Sequence, residues 1–383
     1  MKIAIFSLTK GVYPYVVWGV QMHVYNLARH LQKKGHDVTI CCAKHSIYDR
    51  GFYSLNRSID EHDLEGIKVK IAHSYRGLEK LLLECNSSYD VLHIHAYRSI
   101  PISPRILEQL SIPIVFTPHA IFPPTSRVNQ FLQHTYDRFL GKPLLYRSDI
   151  VIALNRKNMM ELEQLGTPTK KIIIIPNSVD CEEFTHIPAE GLFREKYGVN
   201  KEYILFNGRI VEHKGVHILL KAIKNIQNKL NLELIIVGKG EGNYLKNLLK
   251  FIQNNGLESK VLILDTLERE MQLSAYSGAK MFVLPSFQEG LPTVLLEAMA
   301  MGKICIASKT AGYDLIDDHV NGYSFSTGDS SELSEVIVEV NETGPQKLDE
   351  MRLNAKSTIK DTYNWAVNVS KVENVYAELI KRC

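Results

Sequence analysis

The feature that most constrains this chain is a series of short, unbroken apolar runs: KIAIF near the start, then VLHIH, IPIVFTPH, IVIAL and KIIIIP. A strand with one wet face alternates apolar and polar residues, whereas an unbroken run belongs to a strand covered on both faces. Such strands build parallel sheets sandwiched between helices. Helical stretches separate several of the runs, the first being VQMHVYNLARHLQKKG with Val20, Val24, Leu27 and Leu31 at helical spacing. HDVTICCA and KVKIAH read as further strands. After PNSVDCEEF the pattern restarts with EYILFNGRI, LELIIVGKG, KVLILD, AKMFVLPS and ICIASK, again with helical stretches between them. The chain therefore reads as α/β, with two successive parallel-sheet domains at 1–180 and 181–364. The boundary is placed between Asn177 and Tyr203, where no strand-like run occurs. In the last segment, 365–383, Trp365, Val369, Val372, Val375, Tyr376 and Leu379 share one broad helical face. This helix is expected to cross back to the first domain.

Composition enters as a set of exclusions. A length of 383 residues suits two domains, and 45% hydrophobic with 23% charged residues is ordinary for a folded chain. The longest uncharged stretches, 11–28 and 109–126, carry prolines and scattered polar groups unsuited to hydrocarbon. MKIAIFSLTKG lacks the pattern of a signal peptide, and the six cysteines show no zinc or disulfide spacing. The expectation is a cytoplasmic protein with reduced thiols. Residues 1–180 hold 22 Lys and Arg against 15 Asp and Glu, and the remainder 23 against 27. A basic first half suits an anionic acceptor or lipid surface, or, with no dense Lys and Arg run in it, simply a solvated surface, while nothing in it marks nucleic-acid binding.

The densest chemical signal is PSFQEGLPTVLLEAMA at 285–300, between a strand and a helix. Pro292 suits the first turn of that helix. Backbone N–H groups of Gly290, Leu291 and Thr293 could then hold an anion, favoured by the helix dipole. Glu289 lies just before the helix, where parallel sheets place ligands, and Glu297 follows eight residues later. In FNGRIVEHKG, Arg209 and Lys214 follow a strand, and two cations there suggest a diphosphate clamp. Gly19, after Trp18 and before the first helix, could approach a phosphate. His119 in TPHA ends an apolar run at a strand's carboxyl edge, where a neutral imidazole could bond a sugar or move a proton. His93 and His95 are read as facing opposite sides of their strand, which argues against a shared metal site. No phosphate loop or dinucleotide fingerprint is present, GKGEG at 238–242 included.

With these residues in place, the chain resembles, over nearly its whole length, the family-4 retaining glycosyltransferases of the GT-B fold. The marks are Glu289 and Glu297 as an E-x7-E motif, Arg209 with Lys214, the PNSVDCEEF turn, and TPH ending in His119. The resemblance implies two Rossmann-like domains facing across a nucleotide-sugar cleft. It implies that Arg209 and Lys214 hold the donor diphosphate and Glu297 the ribose hydroxyls. Glu289 would hold the donor sugar near its reacting carbon and His119 its other hydroxyls, so His119 and Glu289 are the catalytic candidates. Gly290, Leu291 and Thr293 would add amide contacts. The family often has Gly-Gly-Val before the first helix, where this chain has Trp18 and then Gly19.

The implied reaction moves a hexosyl unit from a UDP- or GDP-linked sugar to a glycan or lipid-linked acceptor, with no metal and no other cofactor. A nucleotide-sugar 2-epimerase, a glycogen-synthase-like polymerase and a non-catalytic nucleotide-sugar sensor share the architecture. An NAD-dependent oxidoreductase would need a Gly-rich turn with an acidic ribose partner. The acceptor is assigned to first-domain loops such as 123–141. Arg127, Arg138, Lys142 and Arg147, interleaved with Phe131, Tyr136, Leu140 and Leu144, suit either peripheral contact with the inner membrane face beside a lipid-linked acceptor or a helix packed on the core.

Overall fold

A computed structural model describes residues 1–12, 19–45, 54, 58–121, 127–185, 191–240 and 242–382, without the side chains of 127–129. Trp18 and Cys383 lie outside the described residues. The chain divides into two compact units, Met1–Ser178 with Trp365–Cys383, and Val179–Asn364. Each is α/β and Rossmann-like, as the unbroken apolar runs require.

The first unit carries β1 (Lys2–Lys10), β2 (Asp37–Ala43), β3 (Ile59–Leu64), β4 (Ile67–Ala72), β5 (Val91–His95), β6 (Ile114–Thr117), β7 (Ile150–Ala153) and β8 (Ile172–Ile174). They form one sheet in the order β3-β4-β2-β1-β5-β6-β7-β8, parallel except for the β3–β4 pair. Along β1, Ala4, Phe6 and Leu8 enter one core layer while Ile3 and Ile5 enter the other, which is why the run is apolar at every position. The second layer is closed by the helix Gly19–Lys33, through Val24, Leu27 and Leu31. The final helix Trp365–Ile380 completes it through Trp365, Val369, Val372, Tyr376 and Leu379.

β3 departs from the expected pattern. Its sequence, IDEHDL, has no apolar run, because it is an antiparallel edge strand joined to β4 by Glu65 and Gly66 at φ 53° and 83°. Positive φ at both central residues is the mark of a two-residue hairpin turn.

The second unit contains β9 (Tyr203–Asn207), β10 (Glu233–Val237), β11 (Val261–Leu264), β12 (Met281–Leu284), β13 (Ile304–Ser308) and β14 (Tyr323–Phe325). The order is β11-β10-β9-β12-β13-β14, parallel throughout. The chain passes from the first unit to the second after Ser178 and returns at Trp365.

Candidate functional site

In the second unit β9 lies between β10 and β12, so the strand order reverses at the β9/β12 junction. In doubly wound sheets ligands bind outside the carboxyl ends of the strands at such a reversal. The loop after β9 carries Arg209 and Lys214, and the segment after β12 carries Glu289. Gly208 N donates to Val237 O at 2.9 Å and Ile210 N to Lys239 O at 2.9 Å, which ties the Arg209 loop to the end of β10. Phe287 N donates to His213 O at 2.7 Å, which ties its far end to the β12 segment. The approach is close enough to require glycine. Gly215 has φ 71°, and a Cβ there would stand 2.0 Å from Pro285 O. Gly238, in the GKG stretch that matches no nucleotide fingerprint, would likewise place a Cβ 1.9 Å from Gly208 O.

These loops bring Lys214 Nζ within 2.6 Å of Glu289 Oε1, with 14% and 8% of the two side chains exposed. Arg209 is exposed, and its side chain makes no hydrogen bond or ion pair among the described residues. The two cations expected to act alike thus differ in state: Lys214 is engaged by a carboxylate, and Arg209 stands open.

Thr293–Ala300 forms the helix beside them. Pro292 is its cap residue, with extended backbone, and not part of its first turn as expected. Gly290 and Leu291, just ahead of it, each have an interaction within the chain. The Thr293 N–H, at the first helical position, has no intrahelical acceptor.

Glu297 lies one turn into the helix with its side chain 14% exposed. Its Oε1 accepts from Arg269 Nη1 at 2.9 Å, while its buried Oε2 has no partner among the described residues. Burial pushes this carboxyl up, and the Arg269 guanidinium pulls it back only in part. Arg269 also clamps Glu183 with two bonds of 2.7 and 2.8 Å and donates to Gln272 at 2.9 Å. The PNSVDCEEF turn therefore contributes Glu183 as a strut for the carboxylate eight residues beyond Glu289. Arg269 escaped the sequence reading because nothing in its LERE surroundings sets it apart.

In the first unit β1 lies between β2 and β5, and this junction too is a reversal point. Gly19 begins the helix that follows β1 and is exposed, and a Cβ added to it would meet no atom within 4 Å. His119 follows β6 with φ 61° and is buried. Its Nε2 is hydrogen-bonded to His95 Nδ1 at 3.1 Å. The His23 ring, from the helix, meets the His119 ring edge-on at 4.9 Å. Ala96 and Arg98, just after β5, are also at positive φ, 78° and 51°. Backbone held in sparsely populated conformations tends to gather at functional sites.

The expectation for His93 and His95 is corrected. Residues two apart in a strand share a face, and the two rings lie 4.0 Å apart. His93 is bonded to the Tyr376 hydroxyl at 2.5 Å and to Thr117 Oγ1 at 2.8 Å. Burial pushes His93, His95 and His119 well below the usual imidazole range, and His23 down to about 4. The array is thus neutral near pH 7. His23, His95 and His119 can each present a ring nitrogen within 4.8 Å of the others, the one three-residue metal-donor group among the described residues. Three separate elements supply it, so no spacing in the sequence announced it.

Comparison with known proteins gives a consistent picture. A family model described as "Glycosyl transferases group 1" matches residues 191–358, and one described as "Glycosyltransferase Family 4" matches residues 17–183. The chain is 28% identical over 322 residues to the UDP-Gal:alpha-D-GlcNAc-diphosphoundecaprenol alpha-1,3-galactosyltransferase of Escherichia coli, covering 82% of this chain and 81% of that protein. It is 26% identical over 252 residues to an uncharacterized glycosyltransferase of Methanocaldococcus jannaschii, covering 65% of this chain but only 63% of that protein. Among solved structures, the Anabaena protein HepE in complex with UDP superposes with a TM-score of 0.75 at 20% identity, over 99% of this chain and 100% of that one.

Proposed function

The chain belongs to the family-4 glycosyltransferases of the GT-B fold, and from that premise we propose that it transfers a hexosyl unit, with retention, from a UDP-sugar to a lipid-linked acceptor. The observation that carries the donor half is the 2.6 Å Lys214–Glu289 pair, which gathers the loops after β9 and β12 at one place beside a helix N-terminus. Arg209 is the open cation for the diphosphate. The Thr293 amide and the helix dipole add to it, and Lys214 joins as the sugar and phosphates arrive between it and Glu289.

Negative charge grows on the diphosphate as the glycosidic bond breaks, and cations fixed beforehand stabilise it without reorganising. The unpaired Glu297 Oε2 is the acceptor for a ribose hydroxyl, with Arg269 fixing the carboxylate's other oxygen. In this reading Glu289 positions the sugar and does not attack it. In the first unit the buried neutral His119 bonds sugar hydroxyls, and Gly19 admits a phosphate closely. The cationic side chains supply the counter-charge, so the proposal needs no divalent ion. A uridine donor is favoured by the UDP in the HepE complex and by the name of the Escherichia coli relative, whose diphosphoundecaprenol-linked acceptor suggests the acceptor class.

The test is a thermal-shift and nucleotide-release assay with UDP-, GDP- and ADP-sugars, with and without EDTA, on wild type, Glu297→Ala and Lys214→Ala. The expected result is stabilisation by the UDP series, insensitive to chelator and lost in both variants. A response abolished by EDTA would direct attention to the His23, His95 and His119 donors. No response to any nucleotide sugar would overturn the donor assignment.

A further inference from the structure

The stretch from Arg127 to Arg147 is a nearly continuous helix: Arg127–Tyr136, a π-helical turn Asp137–Gly141, then Lys142–Arg147. Most of it falls in the segment expected to be an acceptor loop. One side is anchored firmly. Asp137 is buried, accepting from the Tyr97 hydroxyl at 2.9 Å and from Arg98 at 3.0 and 2.7 Å. Gly141 lies so close to Tyr97 that a Cβ would stand 2.2 Å from the hydroxyl oxygen, and Leu144 and Leu145 are buried.

The other side is left bare. Phe131 is 71% exposed, Leu132 and Phe139 59%, and Tyr146 53%. Among the described residues, three of the four exposed large aromatic side chains lie on this one helix. Scattered exposed apolar residues need no explanation, whereas a cluster marks a contact surface. The charge pattern identifies the contact. Between residues 130 and 147 the only acid is Asp137, which is buried and neutralised by Arg98. Arg138 is exposed with its guanidinium 5.6 Å from the Phe139 ring, and Lys142 is half-buried nearby.

We propose that this face of the first unit docks onto an anionic lipid surface, with Phe131, Leu132, Phe139 and Tyr146 entering the headgroup and acyl boundary while Arg138 and Lys142 meet lipid phosphates. Amphipathic aromatic rings settle at that depth, and juxtaposed cations add attraction to anionic lipid. A second copy of the chain is a poorer occupant, because a two-fold pairing of this face would set Arg138 and Lys142 against their own counterparts. The inference deepens the acceptor half of the proposed function, and its test does not use the donor site.

The experiment is flotation of the full chain with phosphatidylcholine vesicles, alone or mixed with phosphatidylglycerol. Wild type is compared with Phe131→Ser/Phe139→Ser and with Arg138→Glu/Lys142→Glu, and each protein is checked by thermal melting and by its response to nucleotide sugars. Wild type is expected to float with the mixed vesicles and less with the neutral ones. Each double variant is expected to partition at least about tenfold less while keeping its melting temperature and donor response. Three results would each overturn the proposal: no binding of wild type to anionic vesicles at low salt, binding unaltered in both variants, or a solution dimer that Phe131→Ser/Phe139→Ser dissociates. A lost donor response with intact flotation would count against the donor reading alone.

Discussion

Two glycines, alike as letters, separate at the scale of single residues into opposite roles. Gly215 is demanded by the chain itself, through φ 71° and a Cβ that would stand 2.0 Å from Pro285 O. Gly215→Ala is therefore expected to destabilise the second unit by ~2 kcal/mol or more, visible as a lower urea midpoint. It should also weaken donor binding, because it moves Lys214 away from Glu289. An unchanged midpoint would remove the claim that this approach fixes the loop. Gly19 is demanded by nothing in the chain: it opens a helix and has free space where a Cβ would go. Gly19→Ala should leave stability unchanged or raise it by ~0.5 kcal/mol, while transfer from a nucleotide sugar falls at least about tenfold. Full activity in that variant would mean that no phosphate approaches there. Both glycines are visible in the sequence, yet the distinction needs φ and the neighbouring atoms. The two carboxylates of E-x7-E are legible from their spacing, whereas Arg269, which braces the second of them, lies 28 residues away and carries no local signature.

Single elements explain why most strands are readable, the edge strands β8 and β11 among them, and two edge strands are not. A strand covered on both faces writes itself as an unbroken apolar run, so the central strands of both sheets are visible in the letters. β3 and β14 are edge strands, the first acidic and the second three residues long, and neither leaves such a run. The histidines of β5, of the turn after β6 and of the first helix are hard to assemble from sequence for a related reason. Strand parity puts His93 and His95 on one face, contrary to expectation, and His23 sits on another element. Their packing has a consequence for pH. Burial lowers all four imidazoles in the folded state, so the unfolded chain binds protons more readily. Stability is then complete above the unfolded value near 6.5 and declines as pH falls from there towards about 4 for His23. Each buried imidazole contributes a slope of up to ~1.4 kcal/mol per pH unit inside that window. Hydrogen-exchange stability of β1, β5 and β6 is expected to fall steadily between pH 6.5 and 4, with a shallower slope in His23→Gln. A flat profile, or the same slope in the variant, would mean that these rings are not held neutral by the fold.

For the whole molecule the governing fact is that the chain enters the second unit and comes back. The outgoing and returning segments are paired, Val179 N donating to Tyr363 O at 2.9 Å beside the Val179–Asn364 bridge. Immediately after the return, Asn368 Nδ2 donates to Ser178 Oγ at 2.8 Å. The final helix is integral to the first unit. Trp365, Val369, Val372, Tyr376 and Leu379 are each at most 6% exposed and belong to the same core layer as Ile3, Ile5 and Val24. Tyr376 also bonds His93 at the centre of the imidazole array. Burying five such side chains is worth on the order of 10 kcal/mol, comparable to the entire stability of an ordinary domain. The apolar face of this helix is legible in NWAVNVSKVENVYAELIKR, but which core it closes depends on contacts separated by more than 300 residues. A chain ending at Asn364 should therefore lose the first unit while keeping the second, whose core around Tyr203, Phe206, Phe282 and Phe325 is formed without that helix. Native-state hydrogen exchange separates the two outcomes by peptide. Protection is expected to vanish across β1 to β8 and to persist across β9 to β14, with nucleotide binding retained and sugar transfer abolished. Protection retained in both sheets would show that the first unit closes its core without the final helix, and loss in both would show that the second unit does not fold unaided.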